Sequence, residues 1–322
     1  MATSPYRHIL VHIDGSDERA RSALDAAIAL AETSGAKLRV VDVLRPPPGR
    51  LFRSAERDYR QLLVEGRRDA LHELCRDVVG DAASWEVDVR VGAAAVEIIR
   101  EVLADDVDLV VRAAEGRGVG RLFGGTDMAL LRKCPCPVLI VRPGRERLRR
   151  VVAAIDPDMD DDVRESLNPA IMRTAGHLAK LHGATLDVVH AWYLVGEDVI
   201  RSGAEGLGPE QYRELLRVER RHHLEALGRE IEPFGLSVDD PRVHVLKGAP
   251  TEVIPETVEQ IDADLLVMGT VGRVGLPGLL IGNTAETILG RVGCAVLAIK
   301  PEGFQTPVEP ASPEAPRKPG AP

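Results

Sequence analysis

The same series of short segments occurs twice, in the same order, along this chain of 322 residues. The longest pair reads CPVLIVRP in the first half and CAVLAIKP in the second. The paired segments are 12–14 and 154–156, 35–38 and 183–186, 108–111 and 264–267, 124–126 and 282–284, and 136–143 and 294–301. Because segments repeated in a fixed order are the signature of internal duplication, the chain is predicted to hold two copies of one domain, at 1–143 and 149–301.

Short apolar runs alternate with amphipathic helical patterns in both halves. The runs that predict strands are 8–13, 37–44, 85–91, 109–112 and 138–142 in the first half, and 150–155, 185–192, 242–246, 265–268 and 296–300 in the second. Strands that alternate with helices indicate a parallel sheet covered on both faces. The predicted fold class is therefore α/β, with two tandem, doubly wound, five-stranded parallel-sheet domains.

Composition argues against several kinds of partner. The formal net charge is −9 and only 3% of residues are aromatic, whereas nucleic-acid surfaces are basic and often stack bases on aromatic rings. No apolar run is long enough to span a membrane, and the N-terminus lacks the pattern of a signal peptide. We therefore expect a cytoplasmic protein without nucleic-acid or membrane partners. Its tail, 302–322, is rich in proline and is predicted to be disordered.

Residues suited to catalysis or metal binding do not form a recognisable pattern. The four cysteines are too few for a disulfide framework, and C-x-C at 134–136 is not a zinc spacing. His222 and His223 are neighbours on a predicted helix and so point apart. His190, at a strand end, is interpreted as a packing residue. No catalytic residue and no metal ligand is assigned, and turnover is not expected.

A glycine-rich loop follows the fourth predicted strand of the second half. Gly269 and Gly272 are followed by nine residues and then by Gly282, which leads into a predicted helix. Glycines let the backbone approach phosphate oxygens, and a helix N-terminus offers N–H groups and the positive end of a dipole. In a doubly wound sheet this loop meets the exits of the first two strands, near Asp156 and Ala191.

These motifs resemble the universal stress protein family, and its tandem-domain members in particular, over residues 1–301. The resemblance implies a stress-response role and a small ligand, most simply ATP or a related adenine nucleotide with Mg²⁺. It assigns the nucleotide site to Asp156, Ala191, Met268, Gly269, Gly272, Gly282, Asn283 and Thr284. It also implies an intramolecular pseudo-dimer, in which the last strand of each half pairs with the other and covers an exposed sheet edge. A homodimer of the whole chain is left open.

The first half carries a weaker version of the same loop. Ala113 replaces the first glycine, and only seven residues separate Gly116 from Gly124. The corresponding residues of this weaker site are Asp14, Val43, Gly116, Gly124 and Thr126. The first half is therefore the poorer candidate for nucleotide binding.

The second half also departs from the family pattern. Asn283 stands where the family has Ser or Thr, and five aspartates within 156–162 would repel a triphosphate unless a divalent cation intervened. The alternative interpretation is a scaffold that has lost nucleotide and holds an apolar metabolite or a protein partner. Trp192, Tyr193 and the stretch 194–208 would then supply an apolar surface.

Overall fold

The two halves share one continuous sheet of ten strands in the computed structural model, which describes residues 6–15, 17–46, 56–80, 83–116, 123–144, 147–157, 162–202, 207–270 and 281–311. The strands are β1 (His8–Ile13), β2 (Lys37–Leu44), β3 (Trp85–Val91), β4 (Leu109–Ala113), β5 (Val138–Val141), β6 (Arg150–Ala154), β7 (Thr185–Trp192), β8 (Val243–Lys247), β9 (Leu265–Gly269) and β10 (Ala295–Ile299). The helices are α1 (Asp17–Ser34), α2 (Glu56–Val78), α3 (Ala94–Ala104), α4 (Gly125–Lys133), α5 (Asp162–His182), α6 (Glu197–Ser202), α7 (Pro209–Ile231), α8 (Pro250–Gln260) and α9 (Asn283–Leu289), with a 3₁₀ turn at Glu232–Phe234.

The strand order confirms the predicted fold class. It runs β3-β2-β1-β4-β5-β10-β9-β6-β7-β8, and neighbours within each half are parallel. The predicted pairing of the two last strands is also confirmed, because β5 and β10 run antiparallel with Leu139 opposite Leu297. In each half the strand order reverses at one place, between β1 and β4 or between β6 and β9. Ligands of doubly wound folds bind at the carboxyl side of that reversal.

Helices cover both faces of the sheet, which explains why its strands read as continuous apolar runs. Val151 and Ala153 face the core beneath α1, α2, α5 and α7. Val152 and Ala154, on the same strand, face the opposite core beneath α3, α4, α8 and α9. Both side-chain sets of a strand such as β6 are therefore buried. No helix in the described part of the chain is long and apolar enough to cross a membrane.

The seam between the halves is reinforced by two basic residues at equivalent positions of the repeat. Lys300 follows β10, and its Nζ donates to the carbonyl oxygens of Leu131 and Arg132, at 2.8 and 3.2 Å, at the end of α4. Arg142 follows β5, and its Nη1 donates to the carbonyl oxygen of Gly293, just beyond α9, at 2.6 Å. Each half thus extends a cation to the carboxyl-terminal end of the other half's last helix, where the helix dipole favours positive charge.

Two segments differ from the sequence-based predictions. Helix α6 lies within 194–208, a stretch for which the sequence predicted neither a helix nor a strand. Residues 302–311 fall in the predicted disordered tail, yet they contact the body of the protein because Val308 packs against the core and Arg100 Nε donates to the Glu309 carbonyl at 3.4 Å. Residues 312–322, the rest of that predicted tail, lie outside the described residues.

Candidate functional site

Parallel strand register places the predicted second-half residues along one edge of the sheet. Ala154, at the end of β6, is in register with Val189 on β7 and with Met268 on β9. Asp156 therefore leaves the sheet beside the ends of β7, where Ala191 lies, and of β9. The structure brings these strand exits together at the reversal of strand order.

Asn168 fixes the chain where it leaves β6. This residue is buried, its Oδ1 accepts the backbone N–H of Asp156 at 3.3 Å, and its Nδ2 donates to the Asp156 carbonyl at 3.1 Å. No sequence motif pointed to this residue. The available signal was an amide side chain on the otherwise apolar face of α5, between Leu167 and Ile171.

Gly269 is explained by the packing of a helix on its strand, and not by the close approach of a ligand that the sequence predicted. A Cβ at this position would lie 2.5 Å from Leu167 Cδ2 and 3.7 Å from Ile171 Cδ1. The missing side chain therefore lets α5 pack closely on the end of β9, rather than making room for a ligand on that face. Gly272 and the rest of 271–280 lie outside the described residues.

The start of α9 is held against the end of β9. The N–H of Gly282 donates to the Thr270 carbonyl at 2.8 Å, so the loop begins and ends at one point. Gly282 precedes the first helical residue, and α9 has no side-chain cap. Asn283 and Thr284 are exposed. The first N–H groups of this helix therefore lie close to the end of β9, and no side chain of the described chain caps them.

A groove of about 730 Å³ adjoins this edge. Leu167 lines it and also packs on Gly269. Its basic side chains come from Arg173, His177 and Lys180 of α5 and from Lys300. Burial lowers the pKa of His177, and the neighbouring Lys180 lowers it further. A lowered pKa favours the neutral form of His177, and Glu302 adds a carboxylate to the same lining, so the groove has a mixed polar wall.

The equivalent place in the first half holds a buried charged cluster. The side chain of Arg112 on β4 is 1% exposed, with Nε 3.0 Å from Asp127 Oδ1 and Nη2 3.2 Å from Glu115 Oε1. Asp127 Oδ2 accepts the backbone N–H groups of Glu115 at 2.9 Å and Gly124 at 2.8 Å. Burial raises the pKa of Asp127, while Arg112 and these two backbone donors oppose the rise.

Glu115 lies on the residues that were predicted to hold phosphate. Its Oε2 accepts the backbone N–H of Thr126 at 3.3 Å, and a Cβ on Gly124 would overlap its carboxylate. Gly116 follows at the end of the described segment. We call the site formed by Arg112, Glu115, Gly124, Thr126 and Asp127 the first-half cradle. It contains a carboxylate of the protein itself, that of Glu115.

The other predicted residues of the first half also have internal roles. Asp14 forms an ion pair with Arg19 at 3.1 Å, and Arg19 Nη1 donates to the Glu115 carbonyl at 3.3 Å. Val43 is half-buried and packs against the core. These contacts tie the β1 exit to the cluster described above.

The same family matches both halves of the chain, at residues 5–142 and 148–300, under the description "Universal stress protein family". The chain belongs to the universal stress protein family. Universal stress protein E of Escherichia coli K12 is 30% identical over 313 residues, covering 94% of this chain and 97% of that protein. The Universal stress protein E homolog of Haemophilus influenzae is 29% identical over 309 residues, covering 92% and 98%. The sequence-based resemblance is therefore confirmed.

Solved structures agree with this assignment. A putative universal stress protein from Pseudomonas aeruginosa UCBPP-PA14 is 27% identical, with a TM-score of 0.70, covering 94% of this chain and 95% of its own. A universal stress protein from Archaeoglobus fulgidus, 19% identical with a TM-score of 0.61, shows the same fold over 91% of this chain. The tandem arrangement of this universal stress protein is thus shared by relatives of nearly equal length.

One further polar contact near the second-half edge of this universal stress protein was missed. His190 Nε2 lies 2.9 Å from His223 Nδ1, and the His223 ring lies 5.7 Å from that of Trp192. Helical spacing argued against a joint role for His222 and His223, and nothing in the sequence paired either of them with His190. The contact joins β7 to α7, and within the described residues no group of three metal-ligating side chains is found.

Proposed function

We propose that this universal stress protein acts in the cytoplasmic stress response and binds ATP or a related adenine nucleotide in its second half, without substantial turnover. The family membership supports a generic stress-response role. The nucleotide and its location are inferred from the carboxyl edge of β6, β7 and β9.

The observation that carries the proposal is a difference between the two halves. Sequence alignment of the repeats places Met268, Val271 and Ala285 where the first half has Arg112, Glu115 and Asp127. The second half therefore has no carboxylate at the two positions that fill and cap the first-half cradle. An anion from outside can take the corresponding place at the start of α9, where phosphate is attracted by N–H groups and the helix dipole.

Each end of a nucleotide has candidate contacts at this edge. Asp156, held by Asn168, is placed to accept hydrogen bonds from a ribose. Ala191 offers apolar surface to a base, whereas Met268, which the resemblance also assigned to the site, is 4% exposed and packs in the core. Gly272, Gly282 and the first turn of α9 would receive phosphates. Mg²⁺ would bind together with the phosphates. Among the described residues at this edge, Asp156 has the carboxylate oxygens that Mg²⁺ prefers as ligands. The proposal of no turnover rests on the sequence, which shows no nucleophile or general base in a catalytic arrangement.

Equilibrium binding of labelled ATP, with and without Mg²⁺, tests the proposal. We expect saturable binding of one ATP per chain. Gly272→Val should weaken it at least tenfold, because a branched side chain blocks the close approach of backbone to phosphate. The matched control is Gly116→Val at the equivalent position of the first half, which should bind like the wild type. Absence of saturable binding at high micromolar ATP, or equal loss in both variants, contradicts the proposal.

A second candidate, a scaffold for an apolar metabolite or a protein partner, is favoured by exposed apolar side chains beside the same edge. Tyr193, Val195 and Val199 are 41%, 73% and 73% exposed, and Leu246 at the end of β8 is 40% exposed. Native mass spectrometry of the purified protein separates the two candidates. A co-purified apolar compound supports the scaffold, whereas a mass increase with ATP supports the nucleotide.

A further inference from the structure

We propose that Glu115 is a resident internal ligand of the first half: its carboxylate occupies the place of an external anion at the start of α4 and keeps this half permanently in a ligand-filled state. This inference concerns β4, the loop that follows it and α4. It does not depend on nucleotide binding by the second half.

The contacts of Glu115 are those of a bound anion. Its carboxylate accepts the backbone N–H of Thr126, in the first turn of the nine-residue α4. It also forms an ion pair with Arg112, whose Nη2 lies 3.2 Å from Glu115 Oε1. A glycine, a threonine and an arginine around an anionic group at a helix start are the contacts that recognise phosphate oxygens. The carboxylate takes the space that a side chain on Gly124 would need.

Arg112 shows that this cradle is built for an anion. It is 1% exposed on a strand that is otherwise apolar, and an unpaired guanidinium is rarely buried because its desolvation is costly. Nε meets Asp127 and Nη2 meets Glu115, while Nη1 has no hydrogen-bond partner in the described part of the chain. The Arg112 guanidinium therefore brings a positive charge to the cradle, and its Nη1 is a hydrogen-bond donor without a partner in the described part of the chain.

Without the Glu115 carboxylate, the cradle would keep the positive end of the α4 dipole without a negative charge of its own. Arg112 contributes one positive charge, Asp127 one negative charge, and the start of α4 a partial positive charge. Without Glu115 the cradle would hold a net partial positive charge and an uncapped N–H on Thr126. The Glu115 carboxylate supplies the missing negative charge from within the chain.

Titration of Glu115 agrees with this role. Burial raises the pKa of this carboxyl, but the bonds from Thr126 and the Arg112 guanidinium outweigh burial and hold the pKa below its usual value. A lowered pKa means that the folded state binds the ionised carboxylate more favourably than the unfolded chain does. Its stabilising contribution is complete above the unfolded pKa and is lost as the pH falls through the folded pKa.

Chemical rescue of Glu115→Ala tests the proposal. The variant should unfold at least about 4 °C below the wild type, and inorganic phosphate or acetate should raise its midpoint in a saturable manner by refilling the cradle. The matched control is Glu97→Ala, which removes a carboxylate that pairs with Arg100 on α3. The control and the wild type should show only the shallow response that salt produces in any protein. Equal responses in all three proteins overturn the proposal.

Glu115→Gln keeps the test decisive if the alanine variant does not fold. The amide retains an acceptor oxygen for Thr126 and fills the same space, but it cannot neutralise Arg112. We expect a lower midpoint than that of the wild type and no rescue by phosphate, because the cradle is still full. A Glu115→Gln variant as stable as the wild type at pH 7 would show that the negative charge is dispensable, and the proposal would fail.

Discussion

Replacing Lys300 by Met should change the pH dependence of stability in a way that identifies the seam contact. Burial lowers the pKa of Lys300 from 10.5 to about 7, against the opposing influence of Cys134. The ammonium nevertheless donates to two carbonyls at the end of α4 and lies 4.6 Å from the centre of the Phe304 ring. The Lys300 ammonium is thus well hydrogen-bonded, but removing its charge from water is unfavourable.

The sign of the pH effect follows from the two pKa values. Between pH 7 and pH 10.5 the unfolded chain holds a proton on Lys300 that the folded chain has released, so stability increases with pH in this window. At ~1.4 kcal/mol per pKa unit, the gain over the window is at most ~5 kcal/mol. The Met variant lacks this gain and also leaves the Leu131 and Arg132 carbonyls without their donor, at a cost of about 1–3 kcal/mol.

These magnitudes predict that the two stability curves cross. Near pH 7 the variant should equal or exceed the wild type, and near pH 10 it should be less stable by about 1–3 kcal/mol. Urea unfolding between pH 6 and pH 10 measures both curves, and their difference removes the titration of other buried groups such as Cys75 and Tyr6. Arg142→Met is the matched control, since its guanidinium does not titrate in this range. Parallel curves for the wild type and Lys300→Met would refute the reasoning.

Two further predictions concern the second-half edge. Gly269→Ala should lower the free energy of unfolding in urea by about 1–3 kcal/mol, because its Cβ meets Leu167. In a Leu167→Ala background the same change should lower it much less. An equal loss in that background would mean that Leu167 is not the cause. Asn168→Ala should cost about 1–3 kcal/mol by removing both hydrogen bonds to the Asp156 backbone, and it should weaken ATP binding more than Gly269→Ala does. Calorimetric titration compares the two variants, and the opposite order would count against a role for Asp156 in binding.

The fold could be predicted from sequence because its strands are buried on both faces. Runs such as 109–112 and 265–268 are apolar at every position or nearly so, which marks the strand itself and the parallel class of sheet. The duplication predicted five strands in each half, and the family resemblance together with the unprotected last strand of each half implied that these two strands pair. Their antiparallel direction came from the structure. Helix α6 was missed because six residues in a polar, glycine-containing stretch carry no periodicity.

The site was predictable only as far as backbone geometry determines it. Asp156, Ala191 and Gly269 share an edge because parallel register places successive strand ends together. The packing of Leu167 on Gly269 could not be predicted, because the sequence shows a glycine but not whether a ligand or a side chain occupies the space beside it. The Glu115 contacts had one available signal, an arginine within the buried run LVVRA, because a buried cation requires an anionic partner.

The ends of the two last helices differ in the charged side chains that the chain itself supplies to them. At the carboxyl-terminal end of α4 lies Lys300, and just beyond that of α9 lies Arg142, each contributed by the opposite half. At the amino-terminal end of α4 lies the Glu115 carboxylate, where the helix dipole favours a negative charge. In the pattern of the repeat, α9 has the cation but Val271 in place of the carboxylate. In the proposed nucleotide complex, a phosphate group would give the start of α9 the negative charge that α4 receives from within its own chain.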